Sequence, residues 1–195
     1  MISHSHKFIL ITPPKTGSTS LVTTLLDCIQ THPDRPQTCM ELKHKKYGAY
    51  SRQNVECTQT YTLYGSVRNP YERMVSWWKY IKKKGHRRNC PNNFHDFIEQ
   101  LKKHKRLSRN MLAFFSSKDR EVKVNKFIRF ESFKEDFNIF CEDVGIETME
   151  LLHENPTNNS NTTGEAYYRS FYDEESKKIV ENIFKRDLEY FGYSF

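Results

Sequence analysis

Two cations stand at matching places in this sequence. Lys15 follows the apolar run Phe8-Ile9-Leu10-Ile11 and the break Thr12-Pro13-Pro14, and Arg68 follows the run Tyr61 to Val67. A helical pattern begins just beyond each of them. After Lys15 come five small residues, Thr16-Gly17-Ser18-Thr19-Ser20, and after Arg68 comes Asn69-Pro70. The first N–H groups of a helix have no partner inside it, and the helix dipole makes that end positive. A strand, a tight loop carrying a cation and a helix start therefore suit a bound phosphate or sulfate. The backbone N–H groups of Thr16, Gly17, Ser18 and Thr19 are the expected donors, with Lys15 adding a full charge. Ser76 lies about two helical turns beyond Arg68, with a hydroxyl to aim at the same anion. In open α/β sheets ligands bind beyond the C-terminal ends of strands. Lys15 and Arg68 are thus expected at one sheet edge, facing a ligand with two separated anionic groups.

The first loop is not spelled for a nucleoside triphosphate. The G-x-x-x-x-G-K-[ST] pattern puts its lysine after the second glycine. Here Lys15 precedes Gly17, and prolines open the loop. No clear Mg²⁺-binding aspartate follows a strand, which counts against a nucleotide or small-molecule kinase. The competing non-enzymatic reading is a basic module for nucleic acid or acidic glycan, drawn from stretches such as Trp77-Trp78-Lys79-Tyr80. The helical spacing of those aromatics assigns most of them to a core instead.

The elements that position the cations follow from periodicity. Lys7 to Thr12 reads as a buried strand and Ser18 to Ile29 as the next helix, with Leu21, Leu25 and Cys28 recurring at helical spacing. Residues 37 to 60 carry no clear pattern. Tyr61 to Val67 is a strand, and Asn69 caps a helix that starts at Pro70 and runs to about Lys84. A third helix carries Phe94, Phe97, Ile98 and Leu101 behind a cap at Asn92 or Asn93. A short helix is expected near Arg109 to Phe115 and a strand over Val122 to Phe130. Ser132-Phe133-Lys134-Glu135 reads as a capping box opening a helix that ends at Gly145. The last helix is capped by Asp173 and ends near Gly192. Strands alternating with helices make the chain α/β, a central parallel sheet with helices on both faces.

At 195 residues the chain fits a single domain. With 28% charged and 14% aromatic residues it has the material of a packed core, which excludes a disordered chain. The net charge of +7 favours a polyanionic ligand or substrate. No segment approaches the roughly 20 apolar residues of a membrane span. Five scattered cysteines without a C-x-x-C pair point to reduced thiols in a cytoplasmic protein rather than to zinc.

The ordered pair Pro14-Lys15-Thr16-Gly17-Ser18-Thr19 and Arg68-Asn69-Pro70-Tyr71-Glu72-Arg73-Met74-Val75-Ser76 resembles the sulfotransferases that use 3′-phosphoadenosine-5′-phosphosulfate (PAPS). The likeness is greater to their carbohydrate branch and its short relatives than to the steroid and phenol branch. Ile128-Arg129-Phe130-Glu131 and Asp187-Leu188-Glu189-Tyr190-Phe191-Gly192-Tyr193 extend it over nearly the whole chain. The resemblance implies a P-loop-like three-layer α/β/α fold. It implies that Lys15 and the Thr16 to Ser20 loop hold the 5′-phosphosulfate, while Arg68 and Ser76 hold the 3′-phosphate. PAP is then the product, no metal takes part, and the acceptor is a glycan or another hydroxyl compound, with no nucleic acid as partner. Short members often carry a Lys-His pair between the two motifs. Lys43-His44 fills that interval, making His44 the candidate base beside Lys15. His153 and Glu41 stand behind it, and Arg169 is a further candidate phosphate ligand.

Overall fold

The computed structural model describes residues 1–26, 44–53, 55–84, 91–105, 107–148, 150–151 and 165–195. In chain order its elements are β1 (Ile2–Ser3), β2 (Phe8–Ile11), α1 (Ser18–Thr24), α2 (Tyr47–Gln53), α3 (Val55–Thr60), β3 (Thr62–Val67) and α4 (Pro70–Lys84). Then come α5 (Phe94–Leu101), α6 (Leu112–Phe115), β4 (Lys126–Arg129), α7 (Phe133–Asp143), α8 (Glu165–Arg169) and α9 (Glu174–Phe191). The chain divides into two compact units. Met1–Val67 joins Met111–Asn155 in the first, and Arg68–Asn110 joins Pro156–Phe195 in the second.

The first unit is built on a four-stranded sheet in the order β1-β2-β3-β4. β2 and β3 run parallel with Ile11 opposite Gly65, and β4 continues parallel with Val67 opposite Arg129. Only β1 is antiparallel, pairing Ile2 with Ile9. All four residues of β2 are fully buried, as a strand covered on both faces requires. Side chains alternate across a strand, so Phe8 and Leu10 share one face. They meet Leu21, Val22 and Leu25 of the α1 region and Phe137, Phe140 and Cys141 of α7 in one core. On the other face Phe115 of α6 packs against Phe127, ring centroids 5.4 Å apart, directly over Gly65. The unit is thus mixed α/β with a mostly parallel sheet, as the alternation predicts, with the α1 region and α7 on one face and Phe115 of the short α6 on the other.

The second unit is helical among the described residues. Met74, Phe97, Ile98, Val180 and Phe184 lie at the centre of its core. Its helix starts follow the sequence closely. Asn69 Oδ1 accepts the Tyr71 N–H at 3.0 Å, and Asn93 Oδ1 accepts that of Asp96 at 2.8 Å. Asp173 and Ser176 form a reciprocal capping box, and α9 ends at Gly192 in the left-handed conformation. Trp77 and Trp78 pack against this core, as their helical spacing predicts.

Several expectations are corrected. The helix expected to reach Ile29 ends at Thr24, with Leu25 leaving helical geometry at φ −91°, ψ 6°. The β-branched run Val22-Thr23-Thr24 carries low helix propensity there. The strand expected over Val122 to Phe130 shrinks to Lys126–Arg129, and Val122 forms only an isolated bridge with Ser116. Ser132 makes no side-chain cap bond, because its backbone at φ −117°, ψ 41° is not the extended conformation a cap needs. The unassigned stretch holds α2 and α3.

Candidate anion-binding sites

Lys15, Thr16 to Ser20 and His44 belong to the first unit, and Arg68 and Ser76 to the second. The parallel register of β2 and β3 brings their C-terminal ends to one sheet edge. The Pro13–Gly17 loop leaves that edge after β2, and Val67 closes β3 there.

The loop is built from left-handed backbone. Lys15 has φ 71° and Gly17, the N-cap of α1, has φ 78° with no side-chain cap bond. Lysine reaches that region only at a cost of about 1 to 3 kcal/mol, a strain that collects at functional sites. Thr16 is fully buried. Its Oγ1 donates to the Pro13 carbonyl at 2.8 Å and meets Ser66 Oγ at 2.6 Å. A hydroxyl has one proton to give, so Ser66 donates the second bond. The Thr16 side chain therefore ties the loop to the end of β3. Ser18 and Ser20 are buried, while Lys15, Gly17 and Thr19 are half-buried. The Phe133 ring lies under Gly17 so closely that an added Cβ would stand 2.5 Å from Cζ.

His44 is exposed, and its Nδ1 lies 3.0 Å from the Thr12 carbonyl oxygen. A carbonyl only accepts, so Nδ1 carries the proton of this bond. In the neutral ring Nε2 is then the unprotonated nitrogen. His44 is thereby held against the residue that begins the Lys15 loop, in a tautomer suited to taking a proton. Glu41, Lys43 and His153 lie outside the described residues.

In the second unit, Arg68 and Ser76 line one narrow cleft with Glu72, Lys79, Tyr167 and Tyr168. Arg68 is 7% exposed and Ser76 4%. Arg68 Nη2 pairs with Glu72 Oε1 at 2.8 Å. On the same helix as Glu72 and Ser76, Arg73 is fully buried beside Asp187, with 4.0 Å between Nη1 and Oδ2. Its Nη2 donates to the Arg109 carbonyl, and its guanidinium stacks near Trp77 and Phe184. Burial lowers the Arg73 pKa to about 10, and the Asp187 carboxylate works against that shift. Breaking such a pair from one side typically costs about 3 to 5 kcal/mol. The second arginine of the Arg68–Ser76 segment and the aspartate of the C-terminal stretch are therefore partners, binding α4 to α9. Sequence reasoning quoted both residues and missed the pairing, since no local pattern links them.

Arg169 lies on the surface. It donates to the Phe195 carbonyl at 2.8 Å and packs over the rings of Tyr168 and Phe195. A cleft of about 250 Å³ in the first unit lies between β4 and α7. It contains no predicted site residue, and its Lys126 and Tyr64 both bond Asp143. His95, Glu99 and Glu175 bring ligating atoms within 4.8 Å of one another, a grouping the sequence did not reveal because α9 supplies one member.

A search of curated proteins returns no match. The sequence model of the Sulfotransferase family matches residues 1–194, so both cation loops and the stretch that pairs Asp187 with Arg73 fall inside a single match, and the chain belongs to the sulfotransferase family.

Proposed function

We propose that this chain transfers the sulfuryl group of PAPS to an acceptor hydroxyl, with a carbohydrate as the expected acceptor and PAP as product. The supporting observation is the ordered pair of anion motifs within a sulfotransferase match that spans the chain. We read the whole as one sulfotransferase domain of P-loop-like, three-layer architecture. The Lys15 loop takes the 5′-phosphosulfate, through Lys15 and the N–H groups of the Thr16 to Ser20 stretch. Arg68 and Ser76 take the 3′-phosphate. A phosphate accepts hydrogen bonds from a guanidinium and from a hydroxyl, the donors that Arg68 and Ser76 offer.

The acceptor oxygen attacks sulfur as the bond from sulfur to the bridging phosphate oxygen breaks. That oxygen leaves with the electron pair as part of PAP, and the acceptor's proton passes to His44 Nε2. Charge grows on the bridging oxygen, where Lys15 and fixed backbone dipoles stabilise it. A donor of this kind is typically worth about 10² to 10³ in rate. The hydrogen bond from His44 to Thr12 supports its assignment as the base. The chemistry asks no metal of these residues, and the +7 charge suits an acidic glycan.

The test is a transfer assay with labelled PAPS over glycans, phenols and lipids, joined to calorimetry with PAP. Lys15→Ala is expected to weaken PAP binding and lower turnover by about 10² to 10³. His44→Ala is expected to keep PAP binding while lowering turnover by about 10² to 10⁴. Near-normal transfer by His44→Ala would remove it from the mechanism.

A further inference from the structure

The Arg68 cleft contains a charge that the sequence motif does not supply. Lys79 sits one helical turn beyond Ser76 and lines the same cleft. Its ammonium lies 4.2 Å from the centroid of the Tyr167 ring and 5.4 Å from that of Phe171. Two aromatic faces thus hold the cation at the cleft wall. Burial also lowers its pKa from the ordinary lysine value.

A charge count shows why this cation matters. Arg68 is paired at 2.8 Å with Glu72, which lines the cleft as well. Arg68 and Glu72 cancel, so a phosphate carrying close to two negative charges would meet no net positive charge from them. Lys79 makes the lining net positive. A partly desolvated ammonium also gains more from an arriving anion than one already in bulk water. We propose that Lys79 is an anion-binding residue of this cleft and sets the preference for a nucleotide bearing a terminal phosphate there. The inference rests on the reading of this cleft as the 3′-phosphate subsite.

Calorimetry with PAP and with 5′-AMP, which lacks the 3′-phosphate, tests it on the full chain. Wild type is expected to bind PAP much more tightly than 5′-AMP. Lys79→Met is expected to weaken PAP binding by about ten- to a hundred-fold and to leave 5′-AMP binding unchanged. Unchanged 5′-AMP binding also shows that the variant is folded. Lys79→Arg, which keeps the charge, is expected to retain most of the preference. A wild type that binds both nucleotides equally would overturn the subsite reading itself. A wild type that prefers PAP, alongside a Lys79→Met variant with the same preference, would overturn the Lys79 assignment alone.

Discussion

Gly17 carries two constraints at one position. Its φ of 78° favours glycine, and the Phe133 ring occupies the place of a side chain. Gly17→Ala is expected to lose about 1 to 3 kcal/mol from the backbone alone. Displacing a ring packed against the core adds to that. The loss should appear as a lowered Tm together with weakened PAP binding, since the same shift moves the α1 N-terminus. Gly48→Ala is the control. It lies within α2 with nothing near its Cβ and should be neutral or slightly stabilising. Equal Tm values for the two variants would discount the Phe133 contact. At this scale the sequence carried the types and order of Lys15, Gly17, Arg68 and Ser76, because local spacing encodes them. It did not carry Phe133 beneath the loop, the Thr16–Ser66 bond or the Arg68–Glu72 pair. The first two join residues dozens of positions apart, and the last was hidden by a motif that gave Arg68 another role.

Helix caps were the most legible elements, and one of them is a pH-sensitive device. Asp173 opens α9 by accepting the Ser176 N–H at 2.7 Å, and it bonds His95 Nδ1 at 2.8 Å. The Ser176 backbone bond, then the Ser176 hydroxyl and His95, lower the Asp173 pKa from 3.8 to about 2. The bond to Asp173 holds the His95 pKa above 6.5. The stability from the aspartate is therefore present above about pH 4 and disappears as pH falls towards 2. The stability from the histidine is whole below about pH 6.5 and disappears as pH rises through its raised pKa. Melting temperatures of wild type and His95→Gln should differ most between about pH 4 and 6 and converge on the alkaline side. Asp173→Asn keeps a good cap but not the charge, so its gap from wild type should close as the pH nears 2. A constant gap across pH in either variant would contradict this account. Asn69, Asn93 and Asp173 were readable because a cap is a contract among residues within one turn. β1 is two residues long, too short to show a period. Among the described side chains of α2 and α3 only Tyr50 is buried, so little of an apolar face announces them. Ser132 had the spelling of a cap box without the backbone to form it.

At the scale of the whole molecule, the alternation of strands and helices gave the α/β class, because each element must cover its apolar face with the next. The division into two units was hidden for a physical reason. Neither unit is a continuous stretch of chain, so no linker marks a boundary. The first unit's core joins Phe8 to Phe140, and Arg68–Asn110 of the second unit lies between them in sequence. The second unit in turn closes its core with Val180 and Phe184, reached only after Met111–Asn155 of the first. Such interleaving leaves neither core able to complete itself from one contiguous segment, and it favours unfolding as a single event. Scanning calorimetry is expected to show one transition, with equal calorimetric and van't Hoff enthalpies. From chain length that enthalpy should be about 140 kcal/mol near 60 °C. PAP at a hundred times its Kd adds about 2.7 kcal/mol to the folded state. For a chain of this size the whole transition should then move up by roughly 5 to 10 °C. Phe140→Ala, cut from the first core, should lower the same single peak rather than split it. Two peaks, with PAP shifting only one of them, would show that the units melt independently and that the chain is not one cooperative domain.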